Sequence, residues 1–188
     1  MLRHRVIPSL LLRNGGLVKT RKFKDPKYVG DPVNAIRIFN EKEVDELLVL
    51  DIDVSKNDAK PDFELIEQFA SECFMPLCYG GGIKSVEDAK RLFSSGVEKI
   101  CVQTSVLDDF RLVREVVERY GSQSTVVSID VKKSWLGRYR MYSSARGEIL
   151  DASLRQFRDN AVAAGAGEIM VTAVDRDGTM TGFDTDLI

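Results

Sequence analysis

Carboxylates, glycines and small polar residues recur in this chain where apolar, strand-like runs end. Asp51 and Asp53 close the run over residues 46–51, Gly80, Gly81 and Gly82 follow 75–79, and Gln103 and Thr104 end 99–104. Asp130 lies near the end of 124–131, and Asp175-Arg176-Asp177-Gly178 follows 168–173. Two kinds of chemistry suit such a set. A carboxylate at a strand end exchanges protons once its surroundings tune its pKa, and Asp130 is the best single candidate. Consecutive glycines followed by a helix start let backbone N–H groups approach an anion, with unpaired amides and the positive end of the helix dipole behind them. Ser85 is placed to cap that helix, with Asp88 as the capping-box acid. Each feature also has a plain reading: the glycines as a bare strand-to-helix turn, the aspartates as loop hydrogen bonds or helix caps. Polar groups from five strands at one end favour the chemical reading.

Composition narrows the field. The 188 residues carry 44% hydrophobic and 30% charged side chains with a net charge of -2, which fits one soluble domain, residues 1–188, rather than a nucleic-acid-binding surface. His4 is the only histidine, so neither a Ser-His-Asp triad nor a histidine metal site can be assembled. The Asp175–Gly178 run departs from a calcium loop because its glycine comes early and the later acidic ligand is absent, so no metal and no cofactor are expected. Cys73, Cys78 and Cys101 form no metal-like spacing and suit a reducing cytoplasm. No secretory signal or long apolar run is present, so neither export nor a membrane span is expected.

Those groups need elements to position them. Strand-like runs at 5–12, 46–51, 75–79, 99–104, 124–131 and 168–173 alternate with helical periodicity at 31–39, 62–73, 86–94, 109–120 and 151–164. A basic segment spans 19–27, a small hairpin is expected within 134–146, and a last helix start near Asp184. The strand spacing of about 30 residues, with no GxGxxG after the first strand, points to an α/β fold of (β/α)8 TIM-barrel type. A full barrel needs about 250 residues, so the expectation is a barrel that stops after about six strand-helix units, with edges that need cover.

The chain resembles the cyclase subunit of imidazole glycerol phosphate synthase. The resemblance rests on Arg5-Val6-Ile7-Pro8, Val18-Lys19, Gly30-Asp31-Pro32, Asp45-Glu46-Leu47 leading to Leu50-Asp51-Ile52, and Gly80-Gly81-Gly82-Ile83. It continues through Gly121-Ser122-Gln123, Ser128-Ile129-Asp130, Gly165-Ala166-Gly167-Glu168-Ile169 and Asp175-Arg176-Asp177-Gly178. It implies a barrel of the histidine-biosynthesis type that takes ammonia from a glutaminase partner and uses it to split and cyclise a bis-phosphorylated formimino-ribulosyl substrate. It assigns Asp130 to catalysis and Lys19, Asp51, Gly81, Gly82, Gln103, Thr104, Asp177 and Gly178 to substrate and phosphate binding. Arg5, Glu46, Lys99 and Glu168, at strand onsets, match the family's ammonia gate on the amino-terminal face, where the glutaminase would dock. A ring of salt bridges closing the barrel floor is the structural alternative for those four.

The departures matter equally. Ser9-Leu10-Leu11 stands where the family has Cys-Leu-Asp, so Leu11 replaces one catalytic aspartate, and Gln103 stands where asparagine is usual. Residues 18–32 and 35–43 are similar to a divergent branch associated with surface-polysaccharide genes, in which the barrel is thought to feed ammonia to a sugar amidotransferase making acetamidino sugars. Two functions are therefore expected from the resemblance: a cyclase-type subunit, or an ammonia conduit that cyclises nothing.

Overall fold

The computed structural model describes residues 4–188. The chain divides into two compact units, one made of residues up to 18 with 28–101 and the other of residues 19–27 with 102–188.

In chain order the first elements are β1 (Ser9–Arg13), β2 (Gly16–Arg21), β3 (Lys24–Gly30), α1 (Pro32–Glu41), β4 (Leu47–Asp51), α2 (Phe63–Glu72), β5 (Leu77–Gly80), α3 (Val86–Ser94) and β6 (Lys99–Val102). The first unit is built on a parallel ladder in the order β1, β4, β5, β6, with Leu11 opposite Leu50, Leu48 opposite Cys78 and Gly80 opposite Cys101. Parallel strands must be joined by crossovers, and α2 and α3 supply them by burying Phe63, Ile66 and Phe69 and Val86, Ala89 and Leu92. β1 starts at Ser9, later than the apolar run suggests. Pro8 has no N–H to give a ladder, although its carbonyl accepts from Leu48 N at 2.9 Å. Pro76 plays the same part before β5, accepting from Leu47 N at 2.9 Å.

The basic stretch at 19–27 is a hairpin tip rather than a loop: it contains the end of β2 and the start of β3. Lys22 and Phe23 take φ of 54° and 62°, the left-handed pair of a two-residue turn, in residues that do not advertise one. Pro26 and the exposed side chains of β3 suit a sheet edge.

The second unit continues with a 3-10 turn (Thr104–Val106), α4 (Arg111–Tyr120), β7 (Thr125–Lys133), β8 (Tyr139–Ser143), β9 (Glu148–Ile149), α5 (Leu154–Ala163) and β10 (Glu168–Ala173). β10 runs parallel to β7, with Thr172 opposite Asp130. β7 is buried from Thr125 through Val131, as expected for a strand covered on both faces. The hairpin expected within 134–146 is β7 itself prolonged to Lys133 and turned back through β8, with Asp130 opposite Tyr142 and Lys133 opposite Tyr139. α4 starts two residues later than Asp109, whose carboxylate accepts from Arg111 N at 2.6 Å. No helix begins near Asp184; residues 185–187 form a turn, and the Asp184 carboxylate is engaged by Tyr139. Phe110 and Phe157 pack with ring centroids 5.0 Å apart, joining the base of α4 to α5. Among the described residues no helix is long and apolar enough to cross a membrane.

Candidate functional site

The candidate residues fall into three groups. The first is the glycine run of the first unit. Gly81 and Gly82 adopt φ of 127° and 70°, which side chains beyond glycine rarely tolerate. A Cβ on Gly81 would sit 2.6 Å from the Asp51 carbonyl oxygen, and one on Gly82 would sit 2.2 Å from Val54 Cγ1. These glycines are therefore required by the close approach of the 51–54 loop. Gly82 N–H donates to Ser55 Oγ at 3.1 Å.

The helix start behind the glycines carries the expected capping box. Ser85 Oγ accepts from Asp88 N at 3.1 Å, and Asp88 Oδ2 accepts from Lys84 N and Ser85 N at 3.1 and 3.0 Å. This corrects the expectation of unpaired amides: at Lys84, Ser85 and Asp88 the N–H groups are already occupied by the cap. Asp51, at the end of β4, is half-buried, and burial pushes its carboxyl pKa up while the Asp53 and Val54 amides hold it down. Tyr79, one strand residue before the glycines, was not singled out from the sequence. Its hydroxyl is buried with no hydrogen-bond partner among the described residues, and burial together with the nearby Asp51 and Asp62 charges raises its pKa.

The second group lies wholly in the second unit and centres on Asp130. This carboxyl is only 6% exposed, and burial pushes its pKa up to about 6, against the downward pull of hydrogen bonds from Gln103, Ser144 and Thr172. The Asp177 charge pushes it further up. Gln103 and Thr104 sit where β6 gives way to the 3-10 turn, and Ser144 Oγ donates to Gln103 Oε1 at 3.3 Å. Ser144 and Thr172 were missed in the sequence. Thr172 comes opposite Asp130 only through the β7–β10 register, which folding sets, and serine after a hairpin carries no signal of its own.

Asp177 has a second, unexpected occupation. Its Oδ2 accepts from Thr20 Oγ1 at 2.8 Å and from Phe23 N at 3.3 Å, and its carbonyl accepts from Lys22 N at 2.9 Å. It thus fastens the turn of the basic hairpin through both left-handed residues. Gly178 beside it, with φ of 63°, is held so close that a Cβ would lie 2.0 Å from the Thr20 carbonyl oxygen. Phe23 packs against Tyr142, ring centroids 6.4 Å apart. Lys19, on the same hairpin, is exposed.

The third group is at the strand onsets. Glu46 is 3% exposed, and its Oε2 accepts from Arg5 Nη1 at 2.9 Å and from Lys99 Nζ at 2.7 Å. Three of the four charged residues expected there are thus joined through one carboxylate. Glu168 opens β10 in the other unit, with Val126 as its strand partner. Leu11, the departure from the expected acid, lies inside β1 between Val18 and Leu50.

Parallel strands joined by helices, with carboxylates, glycines and small polar residues near their carboxyl ends, define an α/β protein. More specifically, the chain belongs to the histidine biosynthesis protein family, a TIM-barrel family whose sequence model matches residues 5–188. It is 52% identical to the Pseudomonas aeruginosa protein named "Putative imidazole glycerol phosphate synthase subunit hisF2", over all of this chain and 75% of that relative. It is 49% identical to the hisF3 counterpart of Vibrio vulnificus, over all of this chain and 73% of the relative. Against the Streptococcus sanguinis "Imidazole glycerol phosphate synthase subunit HisF" it is 36% identical, over all of this chain and 75% of the relative.

Proposed function

We propose that the protein is a cyclase-type subunit of imidazole glycerol phosphate synthase, which receives ammonia from a glutaminase partner and grips a phosphorylated ligand. The observation that carries this reading is the environment of Asp130. A carboxyl whose pKa is raised to about 6 by burial, among neutral hydrogen-bonding groups, is half ionised near pH 6, keeps a protonated fraction at neutrality that an ordinary aspartate lacks, and can both accept and release a proton. In this reading Asp130 moves the proton. Gln103 and Thr172 hold its carboxyl in place, while Lys19, Gly81, Gly82 and Thr104 secure phosphate, with Asp51, Asp177 and Gly178 completing the binding set. The Arg5–Glu46–Lys99 cluster, with Glu168, forms the ammonia entrance at the amino-terminal face, and the glutaminase docks there.

One specific observation favours a second reading. Leu11 carries no proton-transferring group at the strand where the resemblance calls for a carboxylate, while the charged cluster at the strand onsets is intact. A subunit that conducts ammonia to a sugar amidotransferase in surface-polysaccharide synthesis, without cyclising, would need the second and not the first.

Supplying ammonium salt and the formimino-ribulosyl substrate separates the two. Little cyclisation is expected from the wild-type chain, and Leu11→Asp should raise it by about 10²-fold or more, the usual worth of a positioned acid or base. Brisk wild-type turnover would remove the conduit reading. No turnover by Leu11→Asp, in a chain that still binds the substrate, would remove the cyclase reading.

A further inference from the structure

One hydroxyl in the second unit has two acceptors for a single hydrogen. Ser144 Oγ donates to Gln103 Oε1 at 3.3 Å, and a side-chain hydrogen bond from Ser144 also reaches the Asp130 carboxyl. A serine hydroxyl carries one hydrogen and two lone pairs, so it serves one of these acceptors at a time. Gln103 is bonded to Asp130 by its own side chain as well. Ser144, Gln103 and Asp130 therefore close a ring in which the position of one hydrogen is contested.

Backbone contacts fix the members of this ring. Ser144 lies in the turn after β8, where Gly147 N–H donates to the Ser143 carbonyl at 2.8 Å and Arg146 N–H donates to Ser143 Oγ at 3.2 Å, with Ser143 fully buried. Arg146 pairs with Asp108 at 3.3 Å, which ties that turn to the residues just past the 3-10 turn. At the start of the 3-10 turn the Gln103 carbonyl accepts from Val106 N at 3.0 Å. The other groups about Asp130 are Thr172 of β10, Asp177 in the loop after it, and Tyr142 of β8, opposite Asp130 in the ladder. Lys132 Nζ lies 5.2 Å from the Tyr142 ring centroid, and the Asp177 carboxylate is held by Thr20 and Phe23.

From this ring we infer that Ser144 is a positioning residue that couples the proton of Asp130 to the grip on the Gln103 amide. With Asp130 protonated, its O–H donates to Ser144 Oγ, and the Ser144 hydrogen goes to Gln103 Oε1. The amide is then held at both ends, its N–H on the second oxygen of Asp130. When Asp130 gives up its proton, the anion takes the Ser144 hydrogen, because a bond to a charged acceptor is about twice as strong as one between neutral groups. Gln103 Oε1 is thereby released to accept from a ligand or from water. Gln103 thus engages a ligand in the state in which Asp130 is ready to receive a proton. This inference rests on the reading of Asp130 as the group that moves the proton and adds a residue that controls when it does so.

Carbon-13 NMR of the full chain labelled at aspartate Cγ reads this proton without turnover, the Asp130 resonance being the one lost in Asp130→Asn. Its titration midpoint, about pH 6 in the wild type, should rise by about half to one pH unit in Ser144→Ala. That is a roughly 3- to 10-fold gain in proton affinity, because the anion has lost a donor. Ser144→Thr keeps the hydroxyl and should titrate near the wild type. In a Gln103→Met background the step caused by Ser144→Ala should grow by about 3-fold in proton affinity, since the protonated state no longer offers the hydroxyl a competing acceptor. An unmoved or lowered midpoint in Ser144→Ala overturns the inference. So does a step of equal size with and without Gln103, or a Ser144→Thr midpoint that matches Ser144→Ala. Those results leave the cyclase reading to its own turnover assay, and failure of that assay with Leu11→Asp leaves these midpoints as they are.

Discussion

Glu46 and Asp130 are both buried carboxylates, 3% and 6% exposed, and their surroundings are opposite. Glu46 is flanked by two cations, at 2.9 and 2.7 Å, which offset the cost of burying its charge. Asp130 has only neutral amide and hydroxyl partners and a like charge at Asp177, so burial raises its pKa to about 6. Equal burial thus yields a charge-compensated carboxylate at a strand onset and a carboxyl of raised pKa near a strand end. What separates the two is compensation, not depth.

The contrast can be broken at either site. The largest effect is expected from Asp130→Asn in a Leu11→Asp background: ammonium-supported cyclisation should fall about 10²- to 10⁴-fold, measured by steady-state turnover. Glu46→Ala should leave Arg5 and Lys99 facing each other without their shared anion and lower the unfolding free energy by about 3 kcal/mol, read from urea denaturation. The stability effect at Asp130 has the reverse sign. Its folded carboxyl keeps the proton up to about pH 6, whereas an unfolded aspartate releases it near pH ~4, so the folded state binds more protons in that window. Stability therefore falls as pH rises from ~4 to ~6 and is level above it. Asp130→Asn should abolish that slope, and be more stable than wild type by on the order of 2 kcal/mol at pH 7 but not below pH ~4. The smallest expected change is at Tyr79, where Phe removes a buried hydroxyl without a partner and should raise stability by about 1 kcal/mol in the same denaturation assay.

The elements themselves were legible in the sequence. α3 runs from Val86 to Ser94 and β10 from Glu168 to Ala173 as the periodicity indicates, and Ser85 with Asp88 forms the capping box that the local spacing calls for. The basic hairpin was not legible, because its turn is made by Lys22 and Phe23, and the Asp177 amide-binding contacts that hold their left-handed backbone come from 154 and more residues away. Asp130 could be chosen as a candidate from its strand-end position, but Ser144 and Thr172 could not be chosen with it.

Local patterning and backbone chemistry therefore determined the alternation of the parallel strands with helices, the capping box at Ser85, and the family resemblance carried by the motifs. The tertiary structure alone decided which carboxylate is neutralised by cations and which is isolated, which amides of the glycine turn are already occupied, and where Asp177 is fastened. The physical reason is that helix caps, turns and apolar periodicity act between near neighbours in the chain. Desolvation, ion pairing and hydrogen-bond competition depend on groups brought together by folding across large sequence separations.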